Sequence, residues 1–148
     1  MTLYQYAIGA DPENVNAYFG LAEARARQGR FDEAITARAE AHKRAGDDEL
    51  IPVFVNARGE AGYRRIEEAW VRLQIQAYKE REKTKYVSPL DFARAYAQIG
   101  ETELAFKYLD AAFIDRSPGL VFLKVDRAWD RIRDDPRFAA AIKQVGLP

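Results

Sequence analysis

The sequence predicts an all-α fold of antiparallel helix pairs stacked side by side. Three observations predict it. Apolar and small residues recur at three- and four-residue steps along most of the chain, the spacing of helices with one buried face. Glycines and prolines fall mainly between those segments, where helices stop and start. One pattern also repeats. Gln28-Gly29-Arg30-Phe31 with Ala34 and Ala41 returns as Ile99-Gly100-Glu101-Thr102 with Ala105 and Ala112, 71 residues later. That offset is close to two helical-repeat periods of about 34 residues.

Residues 1–14 read as the second half of a repeat. Tyr4 and Ala7 precede Asp11-Pro12 at the spacing of a helix end. The segment lacks the basic start and apolar core of a signal peptide. A chain that opens mid-repeat is expected to be a piece, or the end, of a longer protein.

Residues 15–48 are the first full repeat, with a helix over residues 17–28, a turn at Gly29-Arg30 and a second helix over residues 32–44. Tyr18, Leu21, Ala22 and Arg25 share one face of the first helix. Phe31, Ala34, Arg38 and Ala41 share one face of the second. The small Ala22, Ala34 and Ala41 let the two backbones approach closely. Asp32 and Glu33 suit the positive end of the second helix dipole. Arg25 and Arg38 make the seam polar: their stems snorkel with heads paired to Glu23 or Glu40, or they hold an anionic group.

Residues 49–85 form a longer, irregular repeat. Leu50, Ile51, Val53, Phe54 and Val55 give a short apolar helix that tolerates Pro52 only in its first turn. Gly59 and Gly62 bracket a turn. A long helix follows over residues 63–83. Tyr63, Ile66, Trp70, Leu73 and Ala77 form one stripe on it, and Val71, Ile75 and Tyr78 a second about 120° round. A helix apolar on two faces sits between neighbours. The mixed-sign run Glu80 to Lys85 is its solvated end.

Residues 86–117 are the next repeat. Ser88 caps a helix, Pro89 suits its first position and Asp91 can reach back. That helix stops near Gly100, and its partner over residues 101–114 buries Leu104, Ala105, Tyr108, Leu109 and Ala112. Residues 118–148 form a helical cap. Asp126 starts a helix carrying Trp129 and Ile132, and Asp135-Pro136 starts a last one that ends at Gly146. Trp129, Ile132, Phe138 and Ile142 are expected to cover the terminal face, as a stack of repeats requires. The whole of 1–148 reads as one domain.

At these residues the chain resembles the tetratricopeptide repeat family, whose pattern is Trp-x2-Leu-Gly-x2-Tyr, then Ala-x3-Phe, then Pro. Here it reads Tyr18-x2-Leu21-Ala22-x2-Arg25, Ala34-x3-Arg38 and Gly46. It returns as Pro89-x2-Phe92-Ala93-x2-Tyr96, Ala105-x3-Leu109 and a shifted Pro118. The set Tyr86-Val87-Ser88-Pro89, Leu123-Lys124-Val125-Asp126 and Arg133-Asp134-Asp135-Pro136-Arg137-Phe138, ending in Gly146-Leu147, is similar to the carboxy-terminal end of bacterial repeat proteins. In that group the repeats follow a transcription-regulator or serine/threonine kinase domain. Arg127 stands where the group often has Pro. The resemblance implies a right-handed α-solenoid whose concave groove takes a peptide or a partner's helix.

Composition removes most chemistry. The 148 residues carry 23 basic and 23 acidic side chains, so there is no electrostatic pull toward nucleic acid or an anionic membrane. There is no Cys and one His, which argues against metal sites and thiol chemistry. That residue, His42, sits beside Lys43 and Arg44 and reads as a surface cation at a helix end. Ser88 and Ser117, the two serines, precede prolines rather than lying in a nucleophile elbow. The pairs Asp47-Asp48, Glu67-Glu68 and Asp134-Asp135 suit helix starts or polar faces. The glycines are scattered, so no phosphate loop forms. No run approaches a membrane span. No catalytic residue, cofactor or metal is expected.

What remains is binding. The groove face is expected to show Asn16, Phe19, Glu23 and Arg27 in the first hairpin, and Leu90, Asp91, Arg94 and Gln98 in the third. Relatives that grip a carboxy-terminal carboxylate use Lys, Asn and Arg there. Phe19, Glu23 and Asp91 stand instead, so that clamp is absent, and an amphipathic segment fits better. The expected role is a non-catalytic interaction scaffold within a larger bacterial protein. It is placed in the cytoplasm, or in the periplasm if its parent is membrane-anchored. Two alternatives are a small-molecule sensor with an apolar pocket near Trp70 and Tyr63, and homo-oligomerisation through the first half repeat at Tyr4 and Tyr6.

Overall fold

A computed structural model describes residues 2–146, and every regular element among them is helical. The fold is all-α, built from helix pairs joined by short turns. Met1, Leu147 and Pro148 lie outside the described residues, and with them the last position of the tail motif. The chain divides into two compact units, Met1–Trp70 and Val71–Pro148.

In the first unit, α1 (Leu3–Ala10) is capped reciprocally. The Gln5 N–H donates to Thr2 Oγ1 at 3.1 Å, and the Thr2 N–H to Gln5 Oε1 at 2.8 Å. α1 lies on α2 (Val15–Arg27) through Tyr4, and the contact needs a glycine: a Cβ on Gly20 would fall 2.2 Å from the Tyr4 ring. α2 starts two residues before the expected 17, because Asn14 caps it by accepting from the Ala17 N–H at 3.0 Å. α3 (Phe31–Ala45) ends at Gly46, φ +78°, with the Asp47 N–H reaching back to the His42 carbonyl at 3.0 Å. α2 and α3 meet along a seam of alanines. Ala17 is 5% exposed, Ala22 1%, and Ala34 and Ala41 0%.

A 3₁₀ turn (Asp48–Leu50) leads into the single turn α4 (Ile51–Phe54), with Pro52 in the tolerated position. The next stretch departs from expectation. Gly59 and Gly62 do not bracket a turn, since α5 (Gly59–Glu82) already begins at Gly59. The Gly59 N–H donates to Asp32 Oδ1 at 2.8 Å. Gly62 sits in the first helical turn, where a Cβ would come within 3.0 Å of the Ala57 carbonyl carbon. It marks a close approach of two backbones rather than a bend. Tyr63 and Ile66 of α5 complete a core with Ala34, Ile35 and Ala57.

In the second unit, the later part of α5 buries Val71 and Ile75 but leaves Ala77 exposed, so the stripe through Trp70 is shorter than its spacing implies. α6 (Pro89–Gln98) starts at Ser88, whose Oγ accepts from the Leu90 N–H at 3.3 Å. α7 (Thr102–Ile114) pairs with it. Its buried face runs through Ala105, Phe106, Leu109 and Ala112. Leu104, expected inside, is exposed, because the face is rotated by one position toward Phe106. Two 3₁₀ segments, Pro118–Phe122 and Arg127–Ile132, lead to α8 (Pro136–Val145), which Asp135 caps and Gly146 ends. Trp129, Ile132 and Phe138 are buried in one cluster with Phe92 and Leu109, and Ile142 packs at its edge.

Candidate functional site: the outer faces of α2 and α6

Asn16, Phe19, Glu23 and Arg27 follow one another at steps of three, four and four along α2, so they share a face. Asn16, Glu23 and Arg27 are exposed, and Glu23 pairs with Arg27 one turn on. Phe19 is half-buried and held from behind. Its ring meets the His42 ring edge-on at 4.9 Å between centroids and stacks on Trp70 at 6.3 Å. The Arg38 guanidinium lies 5.8 Å from its centroid.

The groups behind Phe19 are not where the sequence puts them. Arg38 pairs with neither Glu23 nor Glu40. It lies across α5, donating from Nη1 to Tyr63 Oη and Glu67 Oε1, both at 3.4 Å. Its side chain is 11% exposed and its Nε–H is buried with no partner among the described residues, so the head is held inside rather than snorkelling to water. Arg25 pairs with Glu33 at 3.6 Å, and Glu40 with Arg44.

His42 is a second correction. It is no surface cation: it is 2% exposed, walled in by Phe19, Phe54 and Trp70. Its Nδ1 lies 2.8 Å from Asp47 Oδ2. A carboxylate only accepts, so Nδ1 carries the proton and Nε2 is left a bare acceptor. Burial pushes the imidazole pKa below its ordinary value. The Asp47 hydrogen bond opposes that, and the Arg38 charge adds to it. The Trp70 ring lies against Phe19 of α2 and His42 of α3.

On α6, Asp91, Arg94 and Gln98 share a face at steps of three and four. Asp91 and Gln98 are exposed. Leu90, expected beside them, is 7% exposed and packs so close to the next turn that a Cβ on Gly119 would lie 2.7 Å from its Cδ2. It belongs to the core and offers little to a partner. Arg94 is engaged as well: its Nε donates to Asp126 Oδ2 at 2.6 Å. Asp126 Oδ1 accepts from the Ala128 N–H at 2.9 Å and so caps the second 3₁₀ segment. Burial pushes the Asp126 carboxyl up, but the Arg94 hydrogen bond, the Ala128 amide and the Arg94 and Arg133 charges outweigh it and hold it below the usual range. Asp126→Ala should therefore cost about 2 kcal/mol, one cap plus one partly exposed pair. Asp126→Asn, which keeps the cap, should cost about half. Thermal melts of both variants check this. Equal losses would mean that the cap contributes nothing, and an unchanged Asp126→Asn that the Arg94 pair contributes nothing.

The serines sit in a hydrogen-bonded chain: Ser88 Oγ and Ser117 Oγ are 3.1 Å apart, and Ser117 Oγ donates to Asp115 Oδ2 at 3.3 Å. Among the described residues no group of three or more His, Asp or Glu is placed to hold a metal ion, and no helix is long and apolar enough to cross a membrane.

The family model for tetratricopeptide repeat matches residues 1–51, which span α1, α2, α3 and the following turn. No curated protein and no solved structure matches the chain.

Proposed function

With residues 1–51 matching tetratricopeptide repeat, we propose that the chain is an interaction scaffold whose α2 face docks an amphipathic segment of a partner protein. Such repeats generally mediate protein–protein interaction and are generally non-catalytic. In this reading the chain is a regulatory module of a larger bacterial protein. The observation that carries it is Phe19. Its ring is fixed by His42 and Trp70 yet only partly buried, with polar Asn16 and Glu23 one turn away on either side. A rigid aromatic anchor inside a polar rim is the usual make-up of an interface hot spot. Asp91 and Gln98 on α6 are a second polar set open to a partner.

Phe19 and Arg94 are poor probes, because both also hold the fold together. Asn16 and Glu23 are exposed and serve better. Amphipathic peptides selected for binding from a displayed library should lose at least about ten-fold in affinity, roughly 1.4 kcal/mol, on Asn16→Arg or Glu23→Lys. The melting temperature should stay within about a degree or two, as for surface substitutions generally. Binders indifferent to both changes would remove α2 as the docking face.

A further inference from the structure

Phe19, the anchor of the α2 face, rests on a group that can change charge. His42 is the single imidazole of the chain, and its ring meets Phe19 edge-on at 4.9 Å between centroids. Trp70 and Phe54 close two more sides, with centroids at 4.9 and 5.8 Å. One edge of the imidazole is satisfied and the other is not. Nδ1 is bonded to Asp47 Oδ2, whereas Nε2 is buried with no hydrogen-bond partner among the described residues.

A neutral ring tolerates that arrangement, because its bare nitrogen is one unfilled acceptor. The imidazolium does not. A second proton turns Nε2 into a charged donor inside a wall of rings, and an unpaired buried charge costs far more than an unpaired neutral acceptor. The groups that face His42 do not repair this. Asp47, in the turn after α3, already holds the other nitrogen. Arg38, one turn back on α3, is a like charge whose head is engaged with Tyr63 and Glu67 of α5. α2 presents Phe19, with Glu23 one turn on and paired to Arg27. α4 presents Phe54, and α5 presents Trp70.

We propose that the proton count of His42 gates docking on the α2 face: Phe19 is held for a partner while the ring is neutral, and is let go when the ring takes up a second proton. This rests on α2 being the docking face. His42 is then a positioning residue that acts through Phe19. The Asp47 side chain is 23% exposed, so the charged ring gains water by moving to that side, and the support beneath Phe19 opens. Binding that needs the neutral ring weakens as pH falls through the value at which folded His42 titrates, by up to about ten-fold per pH unit below it. Burial keeps that value below the ordinary one, so the face is competent at neutral pH. By reciprocity, a bound partner pushes the imidazole pKa further down.

The test is NMR titration of the unmodified 148-residue chain, whose one imidazole is followed without overlap from others. The probe is an amphipathic peptide selected from the displayed library, acetylated and amidated at its ends and free of His, Asp and Glu. It brings no proton equilibrium of its own between about pH 7.5 and 5. Only a peptide that loses affinity on Asn16→Arg is used. The expected result is that the peptide moves the His42 titration to lower pH, and that its affinity falls along the titration curve of His42 in the free chain. His42→Gln, which keeps a neutral donor toward Asp47, should bind with an affinity that stays level over the same range. A His42 titration that the peptide leaves unmoved overturns the proposal. So does one that it raises, since the rings would then hold the imidazolium on their faces. A ring that stays neutral throughout in the free chain leaves nothing to gate and overturns it too, as does an unchanged pH loss in His42→Gln. If no selected peptide responds to Asn16→Arg, the α2 reading falls and this inference with it. A responsive peptide that leaves His42 unmoved removes the inference alone.

Discussion

Trp129→Ala is expected to cost about 3–5 kcal/mol, the range for emptying a large buried aromatic site. Trp129 is 1% exposed, in the middle of the cluster that contains Phe92, Leu109 and Ile132, with the Phe138 ring 6.0 Å away. A 3₁₀ segment has poorer hydrogen-bond geometry than an α-helix, so packing does much to hold it in place. A domain is stable by only about 5–15 kcal/mol in all, so the variant should lose a large share of its cooperative melt. Trp129→Phe, which leaves a smaller hole, should recover more than half of the loss. Urea unfolding followed by circular dichroism measures both. A Trp129→Ala midpoint close to the unmodified one would show that the cluster is not the core of residues 71–146.

The second large effect belongs to His42. His42→Ala should cost about 2–3 kcal/mol at neutral pH, because it empties the space between Phe19, Phe54 and Trp70 and strips Asp47 of its partner. The unmodified chain should also weaken on mild acidification. In the folded state the ring is held neutral, its pKa depressed by burial, while in the unfolded chain it titrates near the ordinary value of about 6.5. The contribution is therefore complete above that ordinary value. It declines as pH falls through it toward the depressed one, because the unfolded chain takes up the proton first. The slope cannot exceed about 1.4 kcal/mol per pH unit for one proton. His42 is the only histidine, so it is the one imidazole available to dominate the change between about pH 7 and 5.5, above the ordinary carboxylate range. Melting temperatures should fall over that window in the unmodified chain and stay nearly level in His42→Ala. A rise on acidification would mean that the cavity favours the imidazolium, and the assignment of a neutral ring would fail.

The fold was legible wherever local chemistry decides it. Gly29, Gly46, Ser88-Pro89 and Asp135-Pro136 stop or start helices by backbone geometry and capping alone, and each element they bound lies within a few residues of expectation. The errors arise where a neighbour decides. Gly62 resembles a turn glycine until Ala57 is seen against it. Leu104 and Phe106 are equally apolar, and only the packing around them selects Phe106, over whose ring the Arg137 guanidinium lies at 4.2 Å. Leu90 follows the groove spacing but is claimed by Gly119.

The site was less legible than the fold. The α2 positions fall on one face by period alone, so Asn16, Glu23 and Arg27 are exposed as their spacing demands. The support beneath Phe19 was missed, although a signal existed. Ile35, Arg38 and His42 stand at steps of three and four beside the Ala34–Ala41 stripe, which widens the buried arc of α3. Lys43 and Arg44 next to His42 masked it, because a cluster of basic residues looks like a solvated helix end. The partners of Arg38 lie 25 and 29 residues away on α5, beyond any local rule.

The alanine seam between α2 and α3 bears on how the chain acquires its shape. Alanine has no rotamers to freeze, so closing the seam spends backbone freedom alone. Alanine also has the strongest intrinsic preference for the helical state, and the two strips that must meet are joined by only a tight turn at Gly29. Short loops and sequence-local contacts are what make helical proteins fold fast. Residues 15–45 are thus suited to collapse first and to serve as the nucleus on which later segments settle.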